Sequence, residues 1–406
     1  MKTLGLFEGF GIELEYMIVE RKTLNVLPMV DKLLTKAHGE LVSELIKDNI
    51  AWSNELALHV IELKTNGPAP SLNGLAHHFQ NDIDYINGLL EEFDAQLLPT
   101  GAHPWMNPDR ELCLWPHEQN DVYDAYHAIF DCRGHGWANL QSGHLNLPFN
   151  GEDEFVRLHT AIRILLPLIP AIAASTPFLD GKLTGMMDAR LEVYRHNQQK
   201  VPEVTGRVIP EFIDSFESYH ERILAPMYKA IAHYDGSEVL QEEWLNSRGA
   251  IARFDRNAIE IRILDTQESP EADIAVMALV VEVLKALVDE KWSDFGMQSA
   301  WCHEPLASMF EAAIHKGSQA VFNEEGFLAC FGWEVGPCTG QMLWQHLFDQ
   351  LQDSLTPHKA ALEVILQQGT LAERLVKAFQ KEGDLVMLYN QVMDTLGKGG
   401  LFKVNR

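Results

Sequence analysis

Acidic side chains on alternating, otherwise apolar segments are the feature that most limits how this chain can fold. Residues 11–19 alternate, so that Leu14 and Tyr16 point to one side of an extended segment while Glu13 and Glu15 point to the other. A period of two is typical of a β-strand with one face in the hydrophobic core. The opposite face of this strand must then hold two neighbouring carboxylates.

Comparable patterns occur at three other places in the sequence. Three strand-like segments carry such groups among apolar residues: Glu55 and Glu62 in residues 51–65, His144 in residues 139–149, and Glu260 and Arg262 in residues 250–265. A buried carboxylate is strongly unfavourable unless a cation pairs with it. Carboxylate oxygens with one imidazole suit Mg²⁺ or Mn²⁺, and two or three such ions would neutralise a nucleotide triphosphate.

Each of these patterns also has a simpler explanation. A strand that faces solvent on one side would carry Glu13 and Glu15 without any metal. Glu260 and Arg262 could belong to a cross-strand salt-bridge ladder. A single histidine such as His144 is more often a hydrogen-bonded residue than a ligand. The recurrence of charged strand positions at four separate places favours the metal site.

The order of predicted elements indicates an α+β fold. Helical periodicity predicts helices over residues 71–98 (with Ser71 as N-cap), 120–130, 155–174, 210–234 and 270–292. Strands concentrate before residue 265, and helices dominate after it. The strand pairs within 51–65 and 250–265 are joined too tightly for parallel crossovers, so antiparallel pairing is expected. We therefore expect helices to cover one face of an antiparallel sheet and polar side chains to occupy the other.

Composition is close to the average of soluble globular proteins. The 406 residues are 46% hydrophobic and carry a formal charge of −26, which disfavours nucleic acid and anionic membranes as partners. The five cysteines are odd in number and contain no Cys-x-x-Cys, so reduced thiols in the cytoplasm are expected. The sequence lacks a P-loop, a complete dinucleotide-binding motif and a His-Glu-x-x-His motif.

Six short motifs follow one another over roughly residues 10–290. They are G-I-E-L-E at Gly11, N-E-L-A-L-H-V-I-E-L at Asn54, G-A-H-P at Gly101, N-L-Q-S-G-H-L-N at Asn139, T-P-F-L-D-G-K-L-T-G at Thr176 and A-I-E-I-R-I-L-D-T-Q at Ala258. Together they resemble the motifs of glutamate–cysteine ligase family 2, the bacterial carboxylate–amine ligases of the glutamine synthetase superfamily. The resemblance implies a glutamine synthetase-like catalytic fold over residues 1–295, with an antiparallel β-sheet funnel covered by helices. Residues 296–406 would form a helical C-terminal region packed on it.

The resemblance also implies roles for individual residues. The positions similar to the metal ligands of the superfamily are Glu13, Glu15, Glu55, Glu62, His144 and Glu260. The positions expected at the nucleotide phosphates are Arg253, Arg256 and Arg262. Arg262 and Glu62 would be catalytic, with Arg262 facing the transferred phosphoryl group. Arg190 and Gln141 would contact the substrate, although Arg190 could also belong to a solvated helix face. Many family members have three adjacent acids in the first motif, and here Leu14 intervenes.

The implied function is an ATP- and Mg²⁺-dependent ligase. It would activate a carboxylate as an acyl phosphate and join it to an amine, with glutamate and cysteine as the family default. Three alternatives stay open: a Mg·ATP-binding regulatory protein without turnover, a guanidino kinase or ammonia ligase on the same scaffold, and a metal-dependent hydrolase. Small-molecule substrates are expected, and the sequence leaves a homo-oligomer open.

Overall fold

An antiparallel sheet is the centre of the computed structural model, which describes residues 3–118, 120–236 and 238–404. In chain order its strands and those of two small ribbons are β1 (Gly11–Glu20), β2 (Glu44–Ile46), β3 (Ile50–Asn54), β4 (Val60–Thr65), β5 (Ala95–Leu98), β6 (Ser142–Pro148), β7 (Phe178–Leu179), β8 (Lys182–Leu183), β9 (Ala250–Arg253), β10 (Ala258–Asp265), β11 (Val321–Phe322) and β12 (Cys338–Thr339).

The main sheet has eight strands in the order β2-β3-β4-β1-β6-β10-β9, and β5 pairs with the second half of β1. Every neighbouring pair in this sheet is antiparallel, which confirms the predicted pairing. The tight connections predicted within 51–65 and 250–265 are those between β3 and β4 and between β9 and β10. Asn257 lies in the second of these connections and adopts a positive φ of 52°, a conformation that asparagine tolerates better than most residues.

Helices make up most of the remaining chain. They are α1 (Val30–His38), α2 (Leu75–Leu90), α3 (Pro108–Glu111), α4 (Asn120–Phe130), α5 (His135–Ala138), α6 (Glu152–Leu165), α7 (Pro170–Ala173), α8 (Ala189–Tyr194), α9 (Phe216–Tyr219), α10 (Ala225–Ile231), α11 (Pro270–Val288), α12 (Phe295–Ser299), α13 (His303–Lys316), α14 (Glu325–Ala329), α15 (Gly340–Leu351), α16 (Lys359–Gln368), α17 (Leu371–Glu382) and α18 (Leu385–Lys398). The fold is thus a mixed one of helices and antiparallel sheet, as predicted.

Helices cover one face of the sheet and form the hydrophobic core with it. Ile12, Leu14 and Tyr16 of β1 are fully buried on that face, and α2 and α6 both pack against α11. Gly143 of β6 allows this close packing, because a Cβ atom there would lie 2.6 Å from the Cε atom of Met277 on α11. Burying each large apolar side chain stabilises the fold by roughly 1.5–3 kcal/mol. The strong apolar character of α11 therefore reflects its central position.

Several helix boundaries differ from the prediction. The helix α2 begins at Leu75 and not at Ser71, because Gly74 has a left-handed φ of 86° that interrupts the helix. The Ser71 hydroxyl accepts a hydrogen bond from the backbone of Asn73 instead of capping the helix. The segment 210–234 becomes helical only from Phe216 onwards.

Proline accounts for another difference. The helix predicted over residues 155–174 is divided into α6, a short 3₁₀ turn at Leu166–Leu168 and α7. Pro167 and Pro170 lie at the starts of the second and third pieces. A proline lacks the amide hydrogen that an uninterrupted helix requires, and its ring disturbs the preceding turn. The helix over 120–130 has the predicted bounds.

The helical C-terminal region packs directly on the sheet-bearing part of the chain. The indole of Trp344 donates to the Leu168 carbonyl at 2.9 Å, and the backbone amide of Ala372 donates to the Ala174 carbonyl at 2.9 Å. One hydrophobic cluster extends through both regions. These contacts fit a C-terminal region that packs on the sheet, and the division at residues 295 and 296 stays a prediction.

The five cysteines are not paired with one another in the structure, and their reduced state stays a prediction. Within residues 3–118, 120–236 and 238–404, no helix combines the length and apolar character that crossing a membrane would need.

A buried ion pair connects α17 of the C-terminal region to the segment just before α11. Arg374 and Glu268 are both fully buried and form a bidentate contact, and Glu268 also accepts the backbone amide of Phe402 at 3.2 Å. We predict that Arg374→Met lowers the free energy of unfolding by about 3–5 kcal/mol, because Glu268 would stay buried without its cation. Urea denaturation measures this change.

Lys359→Met provides the control for this prediction. Lys359 pairs with Glu363 at 4.0 Å on the surface, where both side chains are nearly half exposed. Its loss should cost only about 0–1 kcal/mol. Equal effects of the two substitutions would contradict the role given to the buried pair.

Candidate active site

The acidic face of the sheet forms the floor of a cavity of about 860 Å³. The carboxylates and the histidine that line it are Glu13, Glu15, Glu44, Glu55, Glu62, His144, Asp255 and Glu260. The basic residues that line it are Lys64, Arg253, Arg256 and Arg262. All six predicted metal ligands and all three predicted phosphate-binding arginines therefore lie around one space.

Strand register explains why these side chains meet. Glu13 of β1 lies opposite His144 of β6 on one side and Lys64 of β4 on the other. Glu15, two residues later, lies opposite Glu62 of β4. Because successive side chains of a strand alternate between the two faces, residues at this spacing share one face. The core-facing residues between them fix which face is polar.

Hydrogen bonds order the middle of this face. The His144 Nδ1 donates to Glu13 Oε2 at 2.7 Å, and His144 Nε2 lies 2.9 Å from the Ser142 hydroxyl. The backbone amide of Ser142 donates to Glu15 Oε2 at 2.6 Å. The Asn146 amide donates to the other oxygen of Glu13 at 3.1 Å. The imidazole thus contacts Glu13 of β1 directly, while Ser142 and Asn146, from the same segment as His144, orient the carboxylates of Glu15 and Glu13.

The contact between Glu13 and His144 has the electrostatics of an ion pair. Burial raises the pKa of Glu13, but the hydrogen bond and the charge of His144 outweigh it and lower that pKa to about 2. Burial also lowers the pKa of His144, but Glu13 and the neighbouring carboxylates raise it overall to about 9. Near neutral pH the carboxylate is therefore ionised and the imidazole is protonated.

Glu62 and Glu55 are less well neutralised than Glu13. Burial and the negative charge of Glu13 raise the pKa of Glu62 to about 7, although Lys64 and His144 oppose this effect. Burial, followed by the charges of Glu62 and Glu15, raises the pKa of Glu55 well above its usual value. Like charges that crowd together in a partly dry site disfavour ionisation. The cluster therefore has fewer cations than it needs when all its carboxylates are charged.

Two groups of side chains fit a hard divalent cation. Glu13, His144 and Glu260 form one group, and Glu15, Glu62 and His144 form the other; in each group the ligand atoms lie within 4.8 Å of one another. Carboxylate oxygens with an imidazole nitrogen are donors that Mg²⁺ and Mn²⁺ accept. The raised pKa of Glu62 is the second sign of fit, because it results from burial and from the nearby charge of Glu13, and a bound cation would oppose both effects.

Two arginines converge on one of these carboxylates. The Arg262 Nη2 lies 2.8 Å from Glu260 Oε1, and the Arg253 Nη1 lies 3.3 Å from Glu260 Oε2. Glu260 is almost fully buried, whereas Arg262 keeps 22% of its side chain exposed toward the cavity. Arg256 is 57% exposed and lies 3.6 Å from Asp255 at the rim. The guanidinium groups are thus placed where phosphate oxygens could compete with carboxylates for them.

The two predicted substrate-binding residues lie outside the cavity lining. Arg190 is buried and its Nε donates to Asp265, so it belongs to an internal ion pair and not to a solvated helix face. Gln141 is fully buried, and its side-chain amide has no hydrogen-bond partner among the residues that the structure describes. The structure therefore does not bring Arg190 or Gln141 to the metal-ligand groups, and their role in substrate binding stays a proposal.

Sequence reasoning missed four polar residues of this face. They are Ser53, Lys64, Ser142 and Asn146. The Ser53 hydroxyl donates to Glu62 at 2.9 Å, while Lys64 lies 3.5 Å from the same carboxylate. The signal was present, because Lys64 follows Glu62 by two residues and Ser142 and Asn146 flank His144 at the same spacing. Applying the period-two rule to every polar residue, and not only to the acids and His144, would have found Lys64, Ser142 and Asn146.

The sequence of this chain matches a known family over most of its length. The model of glutamate–cysteine ligase family 2 (GCS2) matches residues 9–323. The chain belongs to glutamate–cysteine ligase family 2. The matched region contains every residue of the acidic face, and membership supports an enzyme of the carboxylate–amine ligase type.

Individual relatives are similar over large parts of the chain. An uncharacterized protein of Archaeoglobus fulgidus is 38% identical over 280 residues, which cover 69% of this chain and 75% of that protein. A Bradyrhizobium diazoefficiens protein named "Putative glutamate--cysteine ligase 2" is 22% identical over 384 residues, covering 93% of this chain and 81% of that protein.

A solved structure shares the fold. The bifunctional glutathione synthetase of Pasteurella multocida superposes with a TM-score of 0.57 at 13% identity, covering 97% of this chain and 53% of that protein. This chain thus spans about half the length of that synthetase. At this level of identity the similarity concerns the fold alone.

We predict that the metal-free protein loses stability as pH rises from roughly 5 to 8. The pKa of Glu62 is about 7 in the folded protein, compared with the ordinary value of 4.5 that applies to the unfolded chain. Protonated Glu62 therefore favours the folded state below pH 4.5, and this contribution to stability is lost as the pH rises through about 7. The free energy of unfolding should fall by about 3 kcal/mol over this range. Mg²⁺ or Mn²⁺ should therefore raise the melting temperature more at high pH than at low pH.

Thermal unfolding with and without the ion, at both ends of this pH range, measures the effect. Glu62→Gln should reduce both the pH dependence and the stabilisation by metal. Glu363→Gln, which changes a surface acid of α16, should leave both unchanged. A metal shift that is the same at both pH values, or in both variants, would contradict the prediction.

Proposed function

We propose that this protein is an ATP-dependent carboxylate–amine ligase. It would phosphorylate a substrate carboxylate and then join the acyl group to an amine, as in γ-glutamyl transfer to an amino acid. The observation that carries the proposal is the convergence of two metal-ligand groups and three arginines on one cavity. Membership in glutamate–cysteine ligase family 2 supports the same reaction class.

The acidic residues would hold the divalent ions. Glu13, His144 and Glu260 would contribute to one site, and Glu15 and Glu62 to the other, with Glu55 close to them in the cavity wall. When bound, Mg²⁺ or Mn²⁺ would neutralise the charge of a triphosphate and help to align its terminal phosphoryl group. Glu62 is included among the catalytic residues because its carboxylate would lie against those ions.

The arginines would act on the phosphates. Arg262 is already oriented by Glu260, so little conformational freedom is lost when its guanidinium contacts the transferring phosphoryl group. Arg253 and Arg256 lie on and beyond the end of β9 and would contact the other phosphates. Each guanidinium offers several donors in a planar arrangement that matches phosphate oxygens.

The reaction would proceed in two steps within the cavity. A carboxylate oxygen of the acid substrate attacks the γ-phosphorus of ATP, the bond to the β-phosphate oxygen breaks, and ADP and an acyl phosphate form. The amine nitrogen then attacks the acyl carbon, inorganic phosphate leaves, and the nitrogen loses a proton to yield the amide. Glutamate and cysteine are the substrates we propose on the basis of the family, and the buried floor of the cavity would limit hydrolysis by water.

We predict that Arg262→Ala lowers kcat by roughly 100- to 1,000-fold, because it removes a positioned donor to the charge that develops on the phosphoryl oxygens. A coupled assay of ADP release, with a panel of acids and amines, measures the reaction. Glu13→Gln should also abolish most turnover, since it removes one oxygen ligand and the ion-pair partner of His144.

Arg207→Ala is the matched control, because Arg207 is 44% exposed and pairs with Glu304 at 2.8 Å outside the cavity. It should retain the activity of the wild type. Failure of every acid–amine pair to cause amine-dependent ADP release would argue against a ligase. Transfer of phosphate to a stable guanidino product, or a strict need for ammonia, would indicate another enzyme of the same scaffold.

A further inference from the structure

Lys64 is a basic side chain of the cavity to which the proposed function gives no role. It follows Glu62 by two residues on β4 and lies opposite Glu13 of β1, so its side chain is on the acidic face. Its side chain is 30% exposed and lines the cavity. A half-buried ammonium group therefore shares the space around the candidate metal ligands.

Lys64 is held by two carboxylates of different character. Its Nζ lies 2.8 Å from Glu44 Oε1 and 3.5 Å from Glu62 Oε1. Glu62 is buried and belongs to a candidate ligand group, whereas Glu44 is 45% exposed on the edge strand β2. An ion pair with that exposure contributes little to stability. Lys64 can therefore exchange its contact with Glu44 for another partner at a small cost in free energy.

Electrostatic interactions would favour such an exchange when a divalent cation and a nucleotide triphosphate occupy the cavity. A cation near Glu62 would neutralise the carboxylate that Lys64 faces and would repel the ammonium group at short range. A triphosphate would at the same time bring several negative charges into the cavity. The long and flexible side chain of lysine can follow a phosphate group without movement of the backbone.

We propose that Lys64 is a ligand of the nucleotide phosphates and that Glu44 holds it in place when nucleotide is absent. The position of Lys64 in the sheet supports this role. In the strand order, β1 and β6 separate β4 from β10, so Lys64 and Arg262 lie on opposite sides of the acidic floor. A triphosphate between them would be bound from both sides. This inference rests on the proposed function only in that the cavity accepts a nucleotide triphosphate.

Calorimetric titration with a non-hydrolysable ATP analogue and Mg²⁺ tests the proposal without turnover. Lys64→Met should weaken binding by roughly 10- to 100-fold, as expected for the loss of a charged hydrogen bond. Lys64→Arg should restore most of it. Glu44→Gln should tighten binding by roughly two- to fivefold, because a competing partner of Lys64 loses its charge. A purely structural Lys64–Glu44 pair would not produce these opposite effects.

The chain offers a closely matched control pair. Lys36 of α1 contacts Glu92, and their side chains are 27% and 56% exposed, compared with 30% and 45% for Lys64 and Glu44. Neither Lys36 nor Glu92 lines the cavity. Lys36→Met and Glu92→Gln should therefore leave nucleotide binding at the wild-type level.

Unchanged binding in Lys64→Met, or unchanged or weaker binding in Glu44→Gln, would overturn the proposal. Should Lys64→Met fail to fold, as judged by circular dichroism, Glu44→Gln alone decides: tighter binding supports the proposal and unchanged binding overturns it. If no acid–amine pair releases ADP but the two variants still shift nucleotide binding in opposite directions, the ligase function fails and this inference stands. If the wild type does not bind the analogue, both fail.

Discussion

The antiparallel register of β1 with its two neighbours is the constraint on which the rest of the structure depends. It places Glu13 opposite His144 and Lys64, and it places Glu15 opposite Glu62. A shift of one residue would turn these groups into the core and expose the apolar ones. The helices on the other face prevent that shift, because the burial of the β1 core residues is lost if the register changes. The hydrophobic core thus stabilises a polar face whose carboxylates repel one another.

Buried ion pairs fix the strand that completes the site. Asp265 is the last residue of β10 and pairs with Arg190, while Glu268, three residues later, pairs with Arg374 of the C-terminal region. Both pairs are shielded from solvent, so removal of either partner would leave a costly buried charge. They anchor the chain just after Glu260, which the site uses. Arg190 therefore helps to fix the end of β10, the strand that carries Glu260.

The sequence predicted the strands and their acids because both depend on local periodicity. Glu13 and Glu15 could be placed on one face from their spacing alone, and the tight β9–β10 connection implied antiparallel pairing. The partner of Arg190 could not be predicted, because Asp265 is 75 residues away in sequence. The predicted start of α2 was also wrong, since the conformation of Gly74 outweighed the capping preference of Ser71. Local periodicity predicts neither the partners of residues that are distant in sequence nor the backbone conformation of a glycine.

The acidic face carries its own counter-ions. Arg253 and Arg262 share Glu260, His144 neutralises Glu13, and Lys64 lies between Glu44 and Glu62. Without these groups, so many carboxylates in one partly buried cavity would strongly oppose folding. The same groups are the ones that phosphate oxygens would attract. Under the proposed function, binding of a metal–nucleotide complex would require an exchange of partners, in which divalent ions would bind the carboxylates and the protein cations would turn to the phosphates. The basic groups that partly neutralise the empty face are thus the same groups that would bind the phosphates of a metal-bound triphosphate.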